Sequence, residues 1–589
     1  MKKLILNKIL NLFFTKDKTK LFLIIALILA FILRFWIAFT AQPFADDLVY
    51  GTHAINFLSS GATSNQNQSP LWFSLADVFY KLFGVTLVTG RLTSIIFGAL
   101  SILVTFLIAN LLFDKRVAII SAFLLTISSF HIKHPVMEMD MTFTFFALFS
   151  IYLFLEKLIK ENKISLLAFL FLGLAILSKS IPVTVIPGLI FAFIIFFLSK
   201  KTERKELLSK KNIKYILIGA LILFISAIPI LSYNYLLFKE KGLLDVMFAR
   251  FLDIGMNTFS SIEATLPSFT LSMFFNQGIK ATLYNFFFLN DLIILPLSLV
   301  GLIIALRKKF VYSSMLLSTF LFTYIFLSGT SLLSNHFVFA PVIYSIFAAL
   351  PIDYISKKIK FKYIIPIILL LILIVNIYTL SPLLFSRSPT GQLREFANKE
   401  IDDNSLVIMD DRIYRGLTAW TMNDKHYLEA TLLGSLSEQN NQIDRFDQQI
   451  NTFFVECVPD NCGWASISPG LHESMENLIS QLNEPIKTIY GGGGDREPTE
   501  PYFNIYLIKI ALKPEILDLV DKTHFFFFYP VRWELKDEIY DSYTPKGFID
   551  NSIDLLAHLI LYLSILLALL SPIYLFYKVY ETFKKSELK

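Results

Sequence analysis

Two adjacent carboxylates follow a run of about twenty apolar residues near the start of this chain. The run covers roughly residues 21 to 40, and Asp46 and Asp47 come shortly after it in "AQPFADDLVY". A carboxylate at the end of a membrane helix is partly withdrawn from water, which suits a general base. The alternative is that these side chains only face water or cap a helix.

A second acidic group stands before another apolar run, where "MEMD" contains Glu138 and Asp140. Packed membrane helices bring their ends together, so two acidic loops on one membrane face favour a common site. Carboxylate oxygens would suit Mg²⁺ or Mn²⁺, but nothing in the sequence requires a metal. We therefore expect no required cofactor, with a divalent ion as an open option.

Basic residues are scarce near the same face. Lys179, in "LSKSIP", lies where one apolar run ends and a proline begins the next. A cation at that depth can extend to the interface, or it can hold a lipid phosphate. We favour phosphate binding because acidic and basic groups fall on one face. The other basic candidates on this face are Arg91, His131, Lys133, His134 and His336.

The composition indicates a polytopic α-helical membrane protein. Of 589 residues, 55% are hydrophobic and only 17% are charged, and the mean hydropathy is +0.59, outside the range of ordinary soluble domains. A spanning helix needs about 20 apolar residues. We predict about twelve spans, at roughly 21–40, 87–112, 117–130, 140–157, 164–178, 182–199, 213–237, 291–306, 311–328, 337–352, 362–384 and 554–578.

The charge pattern orients these spans. If the lysines before residue 21 are cytoplasmic, the basic loops near 114, 156, 200, 307 and 356 and the final "KKSELK" all fall on the same side. Basic loops stay on the cytoplasmic side of a membrane. The sequence thus predicts a multi-pass protein of the cell membrane with both termini cytoplasmic and the acidic groups extracytoplasmic.

Three regions follow from this topology. Residues 1–385 form the membrane domain, 386–550 an extracytoplasmic α/β domain, and 551–589 a last span with a cytoplasmic tail. In the outer domain "SLVIMDD", "TFFVEC" and "YFNIYLIKI" predict strands, and "SPTGQLREFANKE" and "LHESMENLISQL" predict helices. Cys457 and Cys462 lie in this domain, where a local disulfide is favoured over a metal site.

The order of these features resembles a known family. An apolar first span, "PFADDLVY", "NQSPLWF", "VTGRLTSIIFGALSILV" and "MEMDMTFTFF" resemble the GT-C superfamily of membrane glycosyltransferases. Within it, the chain is most similar to the dolichyl-phosphate-mannose protein mannosyltransferase and aminoarabinose lipid A transferase group. The resemblance covers about residues 20 to 200 well and 290 to 385 more loosely. It implies a GT-C-like fold.

The resemblance also implies roles for particular residues. The acidic residue of the first outer loop is the general base of the family, which matches Asp47 in preference to Asp46. Asp140, beside Glu138, matches the second acidic motif. Lys179 lies on a lysine-bearing turn that faces the carrier phosphate. In "SNHFVF", His336 stands where family members commonly carry an Arg-Tyr pair.

The function implied is an inverting transfer of a sugar from a polyprenyl-phosphate carrier to a hydroxyl acceptor outside the cytoplasm. The carrier phosphate would be held by Lys179 with help from Lys133, His134 or Arg91, because preorganised cations stabilise a departing phosphate. The acceptor stays open between protein, lipid and glycan. Nucleic acid is not implied, and no "WWDYG"-type motif points to oligosaccharide transfer.

Two other classes of function compete with this interpretation. A transporter or lipid flippase predicts an internal repeat and ionisable groups along a path through the membrane. The sequence has neither, and Arg34 is the clearest charge within a span. A membrane-anchored recognition protein would use residues 386–550 but leaves the acidic loops unexplained.

Overall fold

The computed structural model describes most of the 589-residue chain. A few residues inside the described helices, including Asp46, are described for their backbone alone. The described ranges are 18–43, 45–59, 69–134, 136–241, 244, 269–330, 332–359, 363–430, 450–458, 462, 469–491, 500–508, 525–526, 529–530 and 546–587.

The part of the chain before residue 385 is helical. Short 3₁₀ turns lie at Ile181–Thr184, Lys201–Glu203 and Ser334–Phe337, and π-helical turns at Phe274–Gly278 and Ala281–Phe288. The α-helices are α1 Lys18–Thr40, α2 Ala45–Ala54, α3 Leu71–Phe83, α4 Leu87–Leu112, α5 Lys115–Ile127, α6 Ser129–Ile132, α7 Asp140–Glu161, α8 Leu166–Ser178, α9 Val185–Ser199, α10 Arg204–Leu207, α11 Lys210–Lys241, α12 Leu271–Met273, α13 Ile294–Lys308, α14 Phe310–Thr330, α15 Ala340–Ile359 and α16 Ile364–Leu384.

Among the described residues, eight helices are long and apolar enough to cross a membrane, and each coincides with a predicted span. The other four predicted spans coincide with α5, α8, α13 and α15, which are shorter or less apolar. The total of twelve therefore stays a prediction. The eight are Thr19–Thr40, Leu87–Leu112, Asp140–Glu161, Ile181–Ser199, Arg204–Leu236, Phe310–Thr330, Ile364–Leu384 and Gly547–Lys584.

Helix α4 is the central element of the bundle. It is largely buried and packs against α1, α3, α5 and α7. Its start is set by a capping box, in which Thr86 accepts from the Thr89 N–H and the Thr89 hydroxyl accepts from the Thr86 N–H. Such a box satisfies two N–H groups that have no partner inside the helix. It places Arg91 in the first turns of α4.

Beyond residue 385 the described chain forms a mixed sheet with three helices, a short two-stranded ribbon and one long helix at the end. The strands β1 to β5 lie in the order β2-β1-β3-β5-β4, with β2, β1 and β3 parallel and β5 antiparallel to both β3 and β4. The elements are α17 Pro389–Glu400, β1 Leu406–Met409, α18 Arg415–Thr421, β2 His426–Glu429, β3 Thr452–Cys457, α19 Pro469–Ile479, β4 Lys487–Tyr490, β5 Pro501–Ile508, the short ribbon of β6 Phe525–Phe526 and β7 Tyr529–Pro530, and α20 Gly547–Glu587.

This arrangement contains the strands and helices predicted for the outer region. Strand β3 covers "TFFVEC", while β1, β5, α17 and α19 fall on the other predicted segments. The four-residue strands β2 and β4 were not predicted, because so short a run carries little alternation of polar and apolar residues. Cys457 and Cys462 form a disulfide. The domain boundaries at 386 and 550 stay predictions.

The outer elements lie against the helix that carries the first acidic pair. Helix α18 packs on α2, and α17 packs on α18. The Gln42 side chain donates to Thr390 Oγ1 at 2.6 Å and accepts from Ser388 Oγ at 2.8 Å. Arg394 of α17 donates to the carbonyl of Val85, just before α4. The sheet therefore stands over the end of the bundle where α2 and α4 begin.

Candidate active site

A five-residue stretch joins the two acidic groups. Residues 136–140, called the acidic segment below, run from Val136 to Asp140 and are buried throughout. At one end the Met137 N–H donates to Asp47, and at the other Asp140 is bound by Lys179. The prediction that the two acidic loops meet on one face is thus supported by direct contacts.

Asp47 is completely buried and held from two sides. Its Oδ2 accepts from Arg91 Nη2 at 2.8 Å, and its Oδ1 accepts from the Met137 N–H. Arg91 also donates from Nη1 to the carbonyls of Ala38 and Ala41, at 3.0 and 2.9 Å. Arg91 therefore orients Asp47 against the end of α1, a different task from the phosphate contact expected from the sequence.

Asp140 and Lys179 form an ion pair inside the protein. Lys179 Nζ lies 3.0 and 2.9 Å from the two carboxylate oxygens of Asp140. The Asp140 side chain is 1% exposed and the Lys179 side chain is 7% exposed. Asn335 donates from Nδ2 to Asp140 at 3.3 Å and also to Glu138. Lys179 follows directly after α8, whose C-terminal end delivers it to the acidic segment.

The backbone of the acidic segment is pinned as well. Ser94, one turn after Arg91 in α4, donates from Oγ to the carbonyl of Val136 at 2.6 Å and lies 3.3 Å from that of Glu138. Carbonyls buried without a donor are costly, so this hydroxyl stabilises an irregular stretch of chain. The segment is held by α4, by Lys179 and by the loop of Asn335.

Neither expected phosphate-binding histidine carries a charge at neutral pH. Both nitrogens of His134 are used, Nδ1 by the carbonyl of Phe130 at 2.6 Å and Nε2 by Ser334 Oγ at 3.2 Å. Burial lowers its pKa to about 3. Burial, aided by the charge of Lys179, also lowers the pKa of His336 to about 3. These rings therefore offer hydrogen bonds in place of positive charge, and their contact with the carrier phosphate stays a prediction.

His336 keeps one polar atom for another partner. Its Nδ1 is buried and has no hydrogen-bond partner within the described chain. The ring interacts electrostatically with Lys179 and Asp140, so it lies beside their ion pair. His131, in contrast, accepts at Nδ1 from Arg34 Nη2 at 2.6 Å and belongs to the helix packing.

Lys133 is a cation at this end of the bundle whose charge is not held in a direct ion pair with any residue that the structure describes. It is partly exposed, and its Nζ lies 5.5 Å from the centre of the Phe130 ring. Burial lowers its pKa to about 8, so the amine remains mostly protonated at pH 7. Lys133 is thus suited to an incoming anion.

Comparison with known proteins identifies the architecture. Residues 67–233, which contain Arg91, Glu138, Asp140 and Lys179, match the sequence profile of the family described as dolichyl-phosphate-mannose-protein mannosyltransferase. The crystal structure of ArnT from Cupriavidus metallidurans bound to undecaprenyl phosphate superposes with a TM-score of 0.53 at 14% identity, over 83% of this chain and 97% of that one. The chain has a GT-C fold.

Two further similarities agree with the GT-C fold. ArnT from Cupriavidus metallidurans in the apo state gives a TM-score of 0.50 at 15% identity, with the same coverage of 83% and 97%. A protein of Aquifex aeolicus (strain VF5), described as uncharacterized, is 28% identical over 232 residues. That match spans 37% of this chain and 45% of the relative, less than half of either.

On this GT-C fold, no group of three or more His, Cys, Asp or Glu side chains in the described ranges is arranged to hold a metal ion. The acidic residues are instead partnered by Arg91, Lys179 and Asn335. The option of Mg²⁺ or Mn²⁺ stays a prediction.

Sequence reasoning missed several polar residues that build this end of the GT-C bundle. Asn335 and Ser94 carry no charge, so charge patterning could not select them. Asp291, directly before α13, is buried and accepts from Ser128 Oγ at 2.6 Å, from the Ser129 N–H at 2.8 Å and from Tyr344. Asp291 could have been selected from the sequence, because it is a carboxylate at the border of an apolar run.

Proposed function

We propose that this protein is a glycosyltransferase that moves a sugar from a polyprenyl-phosphate carrier to a hydroxyl acceptor on the extracytoplasmic face of the cell membrane. The supporting observation is the acidic segment, which connects Asp47 to the Asp140–Lys179 pair at one end of the bundle, because its Met137 N–H donates to Asp47 and it ends at Asp140. The family match over residues 67–233 supports the same reaction class.

Asp47 acts as the general base. Arg91 and the Met137 N–H hold the two carboxylate oxygens and so orient the group. Asp47 takes the proton of the acceptor hydroxyl as that oxygen attacks the anomeric carbon. The bond between this carbon and the phosphate oxygen breaks, its electrons leave with the phosphate, and the sugar configuration inverts.

The departing phosphate is stabilised by lysines. Lys133 has no direct ion-pair partner among the described residues, and Lys179 shares its charge between Asp140 and the donor phosphate. Fixed cations that face a developing charge lower the barrier more than they stabilise the ground state. Neutral His134 and His336 contribute hydrogen bonds, and Arg91 contributes the orientation of Asp47.

The donor is a lipid-linked sugar. The neighbouring ArnT structure was solved with undecaprenyl phosphate, and a carrier of that kind fits a site at the end of membrane helices. The acceptor is a hydroxyl of a protein, a lipid or a glycan. With the basic loops in the cytoplasm, the site faces the opposite side of the membrane.

The test is transfer from radiolabelled polyprenyl-phosphate sugars by purified protein in nanodiscs. Asp47→Asn should lower the rate by about 10² to 10⁴, and Asp46→Asn separates the two neighbours. Asp353→Asn is the matched control, because Asp353 is also buried and paired with Arg116 at 3.0 Å, but at the opposite end of the bundle. Full activity in both Asp46→Asn and Asp47→Asn, or no transfer from any donor by the wild type, contradicts the proposal.

A further inference from the structure

The side chain of Met137 is enclosed by residues from three separate elements. Gly51 of α2 and Gly90 of α4 lie on it so closely that a Cβ on Gly51 would stand 2.9 Å from Met137 Sδ, and one on Gly90 would overlap that sulfur. Tyr80 of α3 donates from its hydroxyl to Met137 Sδ at 3.4 Å. These residues are called the methionine slot.

The two glycines of the methionine slot lower the stability of their helices, and the need for ordinary core packing does not explain this loss. Glycine inside a helix is less favourable than alanine by about 1 kcal/mol, and both glycines lie within helices. Methionine is flexible and adapts to many shapes, so an ordinary core would not need two glycines around it. The slot holds Met137 in one position.

The residue held by the slot is also the residue that binds Asp47. The Met137 N–H donates to Asp47 Oδ1, and the Met137 side chain is completely buried. A backbone N–H cannot move unless its residue moves. The position of the sulfur in the slot therefore sets the position of the donor that orients the carboxylate.

The outer region reaches the slot through Trp420. This residue of α18 is completely buried and donates from Nε1 to Tyr80 Oη at 3.3 Å. The indole also covers Gly51, where a Cβ would stand 3.1 Å from Nε1. Trp420, Tyr80, Met137 and Asp47 thus form one continuous series of contacts from the outer region to the carboxylate.

We infer that Met137 is a positioning residue for Asp47, and that Trp420 makes this positioning depend on how the outer region is seated. The inference rests on the proposed role of Asp47 as the general base. When Trp420 is seated, the slot is closed and Asp47 points at the acceptor. When it is displaced, the Met137 N–H shifts and the base loses its orientation.

The first test fills the slot with a methyl group. Gly90→Ala should lower kcat by on the order of 10 to 100-fold, because small misplacements of catalytic groups cost that much, while the KM for the donor stays unchanged. Gly98→Ala is the matched control, since Gly98 lies in the same helix and its Cβ would stand 3.3 Å from Met141 Sδ, close to the sulfur but without the overlap found at Gly90. Equal kcat values in the two variants overturn the inference.

A double-mutant cycle shows whether the effect passes through Met137. In a Met137→Ala background the methyl group of Gly90→Ala no longer meets the Met137 side chain, although it still meets the Tyr80 hydroxyl at 2.5 Å. The second substitution should therefore cause a clearly smaller loss of kcat than it does in the wild type. If the fold losses of kcat in the two single variants multiply in the double variant, the inference is overturned. Trp420→Phe should resemble Gly90→Ala with a smaller loss, because one six-membered aromatic ring remains while the five-membered ring and its N–H are removed.

Hydrogen exchange gives a measurement that needs no transfer activity. In the purified protein, the peptide that contains Met137 should exchange faster in Gly90→Ala and Trp420→Ala than in the wild type and Gly98→Ala. Faster exchange without any transfer by the wild type removes the proposed function but keeps the slot. Transfer that depends on Asp47, with unchanged exchange and kcat in Gly90→Ala, removes the slot but keeps the function.

Discussion

Lys179 Nζ lies 3.0 and 2.9 Å from the two carboxylate oxygens of Asp140, and both side chains are buried. The lysine that the sequence assigned to a carrier phosphate thus already has an anionic partner. A donor phosphate would share this cation or take over part of its coordination. The pair can therefore both stabilise the fold and bind the donor. Measuring the unfolding temperature and the rate of sugar transfer separately distinguishes these two roles.

Removing one partner of this pair should destabilise the protein. Lys179→Met leaves Asp140 buried without its cation, and breaking such a pair costs about 3 to 5 kcal/mol. The temperature of unfolding in detergent should fall accordingly. The double variant Asp140→Asn with Lys179→Met should recover most of this loss, because no charge is left buried. If the double variant is stable again but its rate of sugar transfer stays low, the lysine is needed for donor binding. An unchanged unfolding temperature in Lys179→Met contradicts the prediction.

Arg91 should not be replaceable by lysine. The guanidinium contacts Asp47 and the carbonyls of Ala38 and Ala41 together, and a single ammonium group cannot match that fork. We expect Arg91→Lys to lower kcat by about 10 to 100-fold with little change in KM. The control is Arg116→Lys, whose arginine pairs with Asp353 at the other end of the bundle. A rise in donor KM alone would instead make Arg91 a phosphate ligand.

Donor capture should weaken at alkaline pH. Burial lowers the pKa of Lys133 to about 8, so the amine is protonated below that pH and neutral above it. Since only the ammonium form attracts phosphate, kcat/KM for the donor, which reports the free enzyme, should fall as the pH rises through 8. Lys133→Arg stays charged throughout and should lose this alkaline fall. Identical pH profiles for the two proteins contradict a role for Lys133 in donor binding.

Asp291 should matter for folding and not for chemistry. It accepts from the Ser128 hydroxyl, the Ser129 N–H, Tyr344 and the Asn376 amide, the last at 3.3 Å. Asp291→Ala leaves these donors without their acceptor, at a cost of about 1 to 3 kcal/mol for each one that stays unsatisfied.

The unfolding temperature of Asp291→Ala should therefore drop while kcat per folded molecule remains near that of the wild type. Asp402→Ala, which removes an exposed carboxylate, is the control. A loss of kcat without a loss of stability would move Asp291 into the catalytic site.

Several features of the fold were readable from local sequence. The span at 87–112 coincides with α4 residue for residue, and "TFFVEC" is strand β3. Both depend on a short window of apolar residues with a clear length or alternation. The predicted spans begin before α13 and α15 do, because apolar residues already precede these two helices.

The candidate site was readable in part. Asp47, Glu138, Asp140 and Lys179 were selected as charged residues at span borders, and the structure brings them together. Their partners were not readable. Arg91 is 44 residues from Asp47 in the chain and Asn335 is 195 residues from Asp140, so only helix packing decides that they meet.

By itself, the sequence determined that this is a multi-span membrane protein, because transfer into a membrane depends on the composition of each segment alone. The placement of its strongly basic loops on one side stays a prediction. Only the tertiary structure decided that Arg91 orients Asp47, that His134 and His336 are neutral, and that Met137 is enclosed by two glycines. These properties depend on burial and on contacts between distant helices, which no local pattern of residues encodes.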